Sequence, residues 1–197
     1  MNLLFQIIIG YFTLYAVIWM HEVGHSYFYW RFGCKDNFLR VTVKPTLFFS
    51  TPAPVNEEKC ESLSSVQNIV IGYGGILVNL LSALLSLALI KWIRIPNIFL
   101  LLFLWAFCTL HTAEIVSYMF IGNIYPVSDM QSISDENPKL RIVNFVIGVF
   151  LSAFYIVLLF EIPEPIRIIT LVFNGISLIS MGVGRIVFTY RAQKQQP

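Results

Sequence analysis

Five apolar stretches, at about 3–30, 66–93, 98–121, 140–160 and 166–190, constrain this chain more than any other feature. As helix, at about 1.5 Å per residue, each is long enough to cross the roughly 30 Å hydrocarbon core of a bilayer. The composition agrees: 57% of the 197 residues are hydrophobic and 12% are charged, about half the charge of a soluble domain. The fold class expected is therefore an all-α polytopic membrane protein with about five transmembrane helices. A net charge of +2 is too small to argue for nucleic acid, and no nucleic-acid partner is expected. The first apolar run has no basic segment before it and is too long for a cleavable signal peptide, so it is expected to stay as a span. Cys34, Cys60 and Cys108 show no metal-ligand spacing and read as free thiols.

The first span carries chemistry. Within it stands His21-Glu22-Val23-Gly24-His25, an H-E-x-x-H pattern holding two of the three histidines of the chain. On a helix His21 and His25 sit one turn apart on one face, where both imidazoles can reach a single zinc ion. Glu22 points about 100° away around the helix, near enough to act on a water at that ion. An ionisable side chain within a span costs roughly 2.5–3.5 kcal/mol or more, so Glu22 reads as functional.

Basic residues set the expected orientation. Arg31, Lys35, Arg40, Lys44 and Lys59 fall in the first loop, Lys139 and Arg141 at the end of the third, Arg191 and Lys194 in the tail. Placing these in the cytoplasm puts the N-terminus outside and the C-terminus inside. His21 and His25 then lie in the cytoplasmic third of the first span. Within the first loop, residues 39–44 alternate apolar and polar and read as a strand. Pro45 interrupts it, 46–51 reads as a second strand, and Pro52 and Pro54 end that. A small membrane-proximal β-hairpin of this kind would offer an edge to an extended peptide.

The second span opens with Gly72-Tyr73-Gly74-Gly75-Ile76-Leu77-Val78-Asn79. Its glycines allow close helix approach, and Asn79 is expected to face protein. The third span carries His111 and Glu114 and runs into Asn123-Ile124-Tyr125-Pro126, with Asp129 just beyond. Pro126 is expected to break the helix. Asp129 is the candidate third metal ligand, and Glu114 its intramembrane competitor. His111 and Glu114 could equally bond each other or orient a ligand. In the last two spans Asn144 and Asn174 are expected to be satisfied by neighbours. Gly175, Gly182 and Gly184 are expected to serve packing, and Arg185, Arg191 and Lys194 to snorkel to headgroups.

Taken in order, His21-Glu22-Val23-Gly24-His25, Gly75-Ile76-Leu77-Val78-Asn79 and Asn123-Ile124-Tyr125-Pro126 with Asp129 resemble the site-2 protease family of zinc intramembrane proteases. The resemblance covers the first two-thirds of the chain. It implies a catalytic core of three spans plus the hairpin loop at 1–135, followed by two additional C-terminal helices at 136–197. It implies that His21, His25 and Asp129 bind Zn2+, that Glu22 is the general base, and that Asn123 helps hold the substrate or its oxyanion. Ile76 stands where the family usually has proline, Met130 where glycine is usual, and the interval from Asn123 to Asp129 is shorter than in the commoner form. The first is tolerable; the other two keep Glu114 beside Asp129 as a candidate.

The function expected is a zinc-dependent intramembrane endopeptidase. Its substrate would be a membrane-embedded or membrane-anchored protein or peptide, cut near the cytoplasmic face. The alternatives are a non-proteolytic membrane binding protein and a metal transporter. The expected setting is the lipid bilayer of a bacterial cell membrane, and a homo-oligomer is compatible with it.

Overall fold

The computed structural model describes residues 2–47 and 50–195. Among them five helices are long and apolar enough to cross a membrane. Their bounds fall within a few residues of the stretches named from the sequence.

The first span, α1 (Leu3–Arg31), starts where the Asn2 side chain accepts from the backbone N–H of Leu4. It ends at Phe32, and Gly33 takes the left-handed conformation (φ 82°) that closes a helix. The buried residues of α1 include Gly10, Thr13, Val17, His21, Gly24 and His25. This stripe recurs every three to four residues and is small or polar, while the large aliphatic side chains face outward. Such an arrangement suits a helix whose outer surroundings are lipid.

A short helix, α2 (Glu57–Cys60), follows the loop, capped by the Asn56 side chain. Next comes α3 (Ser65–Trp92), opened by a reciprocal capping box between Ser64 and Gln67. Its buried face holds Gly72, Gly74, Gly75 and Asn79. The central element is α4 (Ile98–Val116), apolar on every side and buried along most of its length. It packs against α1 and α3 and against both C-terminal helices.

Beyond α4 the chain does not simply stop. A five-residue π-helical segment, Ser117–Ile121, leads into a single turn, α5 (Gly122–Ile124). The helix breaks there, before Pro126, where the sequence predicts an interruption. Ser128 takes a positive φ of 54° and turns the chain into α6 (Asp129–Glu136). The last spans are α7 (Lys139–Glu161) and α8 (Glu164–Gln195). Gly148 of α7 meets the backbone of Met119 in the π-helical segment. Ile76, Ile115, Met119, Met130 and Ile133 form the apolar core that seats α6 on α3 and α4.

Several expectations need correction. The first loop contains one antiparallel bridge, Thr42 with Thr51, each N–H donating to the other's carbonyl at 3.0 Å. Among the described residues there is no strand on either side of it, and Phe48 and Phe49 of the expected second strand lie outside them. Pro45, Pro52 and Pro54 lack the N–H groups that a longer ladder needs. Gly175 and Gly184 have nothing within 4 Å of a built Cβ, so they do not serve packing. Arg185 does not snorkel: it is buried, its guanidinium 4.1 Å from the Tyr118 ring centroid, and its Nε donates to Ser117 Oγ at 3.2 Å. Asn144 and Asn174 are satisfied as expected, each accepting from a tyrosine hydroxyl, Tyr73 and Tyr155.

Candidate metal centre

Three side chains that the sequence singles out meet at one point. His21 Nε2 and His25 Nε2 lie 3.0 Å apart, and Asp129 Oδ2 is 3.5 Å from the first and 3.2 Å from the second. Ligand atoms about 2.0–2.1 Å from a tetrahedral ion stand about 3.3 Å from one another. The donor set, two imidazoles and one carboxylate, therefore fits a divalent ion in both spacing and chemistry. Among the described residues this is the group of three metal-binding side chains within ligand reach of one another, and Glu114 stands outside it.

Each ligand is held in place from behind. The histidines come from adjacent turns of α1, and α3 crosses them at its glycines. A Cβ on Gly75 would lie 2.5 Å from both His21 Cε1 and His25 Nε2, so only glycine leaves the imidazoles their space. Asp129 is the first residue of α6. That helix is fixed by Ile133 resting on Gly72 and by Glu136, which accepts from Asn68 Nδ2 at 2.6 Å. Hydrogen bonds from Ser65 and Asn68 hold the Glu136 carboxyl below its ordinary range. For Asp129, burial pushes the carboxyl up, but the charge of His25 and hydrogen bonds from both imidazoles outweigh it. Asp129 lies well below its ordinary value and is a carboxylate at neutral pH.

The tautomer of His25 follows from its partner. Its Nδ1 is 2.7 Å from the carbonyl of Ile71, which can only accept, so Nδ1 carries a proton. In a neutral His25 the Nε2 lone pair then faces the other ligands, the arrangement metal-binding histidines adopt. The Asn79 amide nitrogen donates to His21 Nδ1 at 3.0 Å. The other face of the site is aromatic: the Tyr118 ring stacks on that of His21, with centroids 4.7 Å and planes 18° apart.

Glu22 is buried on the turn that supplies both histidines, within electrostatic reach of His25, Asp129 and Glu114. His111 bonds Asn79 and not Glu114. Glu114 is buried and feels the charge of Arg185. Asn123 is buried, but its amide nitrogen donates to the Met119 carbonyl at 2.7 Å. Among the described residues its oxygen has no hydrogen-bond partner. A cavity of about 320 Å³ reaches the centre, lined by His25 and Asp129 with Tyr29, Pro52, Asn68 and Ser132. Pro52 belongs to the first loop, and Asp135 and Glu136 of α6 also line it.

Tyr118 and Arg185 were not among the site residues expected from the sequence. A basic residue inside an apolar run was the available signal for Arg185; nothing distinguished Tyr118 from the other aromatic residues. No protein-family model, curated protein or solved structure matches the chain.

Proposed function

We propose that this protein is a zinc-dependent intramembrane endopeptidase of the site-2 protease type. One observation carries the reading: His21 Nε2, His25 Nε2 and Asp129 Oδ2 converge beside Glu22, inside a bundle whose helices are apolar enough to span a bilayer. Zinc held by these three donors would supply Lewis acidity toward a peptide carbonyl.

The chain's own residues do the rest. Glu22, as carboxylate, accepts the proton of the attacking water and passes it to the departing amine. Its place on the ligand turn of α1 keeps it beside the reacting group without using it as a ligand. The cavity would admit substrate from the side of the first loop and α6. The substrate class is a membrane-embedded or membrane-anchored protein or peptide, which unwinds locally because a helical peptide bond is shielded. In this reading cleavage falls near the cytoplasmic face. The resemblance gives Asn123 an oxyanion contact. Its amide nitrogen is bonded to Met119, so that contact requires the amide to leave this carbonyl.

The test is Glu22→Gln, which keeps the shape and both imidazoles and removes the proton acceptor. The variant is expected to fold, to hold zinc like the parent, and to retain uncleaved substrate. The measurement is co-expression with candidate single-span proteins, comparing fragments from parent and variant. Continued cleavage by Glu22→Gln would rule out this mechanism. A process that needs the protein and continues unchanged with the variant would favour a metal transporter or a binding protein.

A further inference from the structure

Past the end of α1 the chain builds a second cavity, of about 250 Å³, that shares no lining residue with the one at the metal centre. Lys35, Arg40 and Lys59 line it, with Asp36 as its carboxylate. The cations come from three places. Lys35 follows α1, Arg40 precedes the Thr42–Thr51 bridge, and Lys59 stands on α2. Backbone contacts bring these places together. The Asn56 N–H donates to the Cys34 carbonyl at 2.8 Å, and the Asn56 side chain caps the helix that carries Lys59. The Arg40 N–H donates to the Asn37 carbonyl at 3.3 Å and closes a turn over 37–40.

Lys35 is the unusual member. It is 8% exposed, and a lysine is rarely so buried without a partner for its charge. Its ammonium has three N–H donors, and one meets the carbonyl of Pro52. A carbonyl is neutral and leaves the charge uncompensated. Among the described residues neither Lys35 nor Arg40 nor Lys59 stands in an ion pair. Like charges face each other instead: burial, and then the charge of Arg40, hold Lys35 below its ordinary value. A cleft lined mainly by one sign of charge concentrates ions of the other sign, and a buried ammonium on its wall gains most from one.

The surroundings indicate the source of that anion. The Tyr27, Trp30 and Phe38 rings form a cluster with centroids 5.5–5.8 Å apart. Tyr27 and Trp30 are exposed. Trp30 lies in the last turn of α1, a helix apolar enough to span a bilayer. Exposed tryptophan and tyrosine at the end of a span mark the level of lipid headgroups, and the cavity residues follow Trp30 within a few positions.

We infer that this cavity binds a phosphate group, supplied by an anionic lipid headgroup, with Lys35, Arg40 and Lys59 as its cationic contacts. Free phosphate offers the same chemistry, and the aromatic cluster is what favours lipid. The inference does not depend on a metal at His21, His25 and Asp129. It does reach that centre: Pro52, whose carbonyl Lys35 holds, lines the metal cavity. A headgroup that holds Lys35 in place therefore also steadies a wall of that cavity.

The experiment titrates the purified full chain, in uncharged detergent, with short-chain phosphatidylglycerol, with phosphatidylcholine of the same chains, and with inorganic phosphate. Native mass spectrometry counts the bound molecules. The expected result is one phosphatidylglycerol, held at least about fivefold more tightly than phosphatidylcholine, the scale of one cation at an anionic surface. Arg40→Gln and Lys59→Gln are at exposed positions that leave the fold intact, and each is expected to weaken binding about fivefold. Lys35→Met is expected to weaken it at least as much. A control that carries Lys139→Gln and Lys194→Gln loses two cations elsewhere and is expected to bind like the parent. An equal loss in this control and in the Arg40→Gln, Lys59→Gln double variant would show a general charge effect and overturn the inference. Equal affinity for the two lipids, with no phosphate bound, would overturn it as well. If phosphate binds with the expected variant pattern and phosphatidylglycerol does not, the site stands and its source is free phosphate.

Discussion

Gly24 of α1 and Gly74 of α3 face each other so closely that a Cβ on Gly74 would lie 2.5 Å from the Gly24 carbonyl oxygen. The approach is backbone against backbone, so no side chain can swing away to relieve it. Gly74→Ala adds helix propensity of about 1 kcal/mol but overpacks a contact at a cost of about 1–3 kcal/mol or more. Here the second effect wins. We expect a lowered midpoint of thermal unfolding in detergent for Gly74→Ala. Gly184→Ala, where a Cβ meets nothing within 4 Å, is expected to be neutral or slightly stabilising. Equal midpoints for the two variants would show that the bundle tolerates separation at this crossing.

Gly75→Ala tests the space for the metal rather than the helix crossing. Its Cβ would point at His25 Nε2, the atom expected to bind the ion. The expected result is a protein that folds but loses at least about tenfold in zinc affinity, on the scale of a disturbed ligand shell. Unchanged stoichiometric zinc in Gly75→Ala, measured by metal analysis, would contradict the placement of the ion between the two imidazoles.

The third ligand can be decided by a pair of substitutions. Asp129→Ala is expected to abolish cleavage and weaken zinc binding, since Oδ2 stands 3.2–3.5 Å from both imidazole nitrogens. Glu114→Gln is expected to leave zinc occupancy near parental. The opposite pattern would move the ligand to Glu114.

Orientation gives a fourth prediction. Reporter fusions at Lys44, Arg94, Lys139 and the C-terminus are expected to read inside, outside, inside and inside. An outside signal at Lys44 would put the metal cavity on the other face of the membrane, along with the loop that lines part of it.

The spans were legible because run length alone identifies them, and the two histidines because one helical turn separates them. Asp129 was legible as a ligand candidate only through the helix break before it. Its seat was not: the contacts that hold α6, Ile133 on Gly72 and Glu136 with Asn68, join positions more than sixty residues apart. Arg185 was misread for a related reason. Position in a run suggests depth but not facing, and the partner that makes burial tolerable, Tyr118, lies on another helix. The loop was read from alternation, which the prolines overruled.

The π-helical segment Ser117–Ile121 has a consequence for how this chain can change. A π turn accommodates one residue more than the α-helical repeat around it. Deleting one residue there would restore an unbroken α-helix and leave everything downstream facing nearly as it does now, because five π residues turn about as far as four α residues. A deletion within α4 has no such slack and would turn Asn123 and the helix that presents Asp129 by about 100°. The segment 117–121 is therefore the place in this span where length can change by one residue. A single-codon deletion there is expected to be less harmful than one within α4, as measured by zinc content of the purified protein.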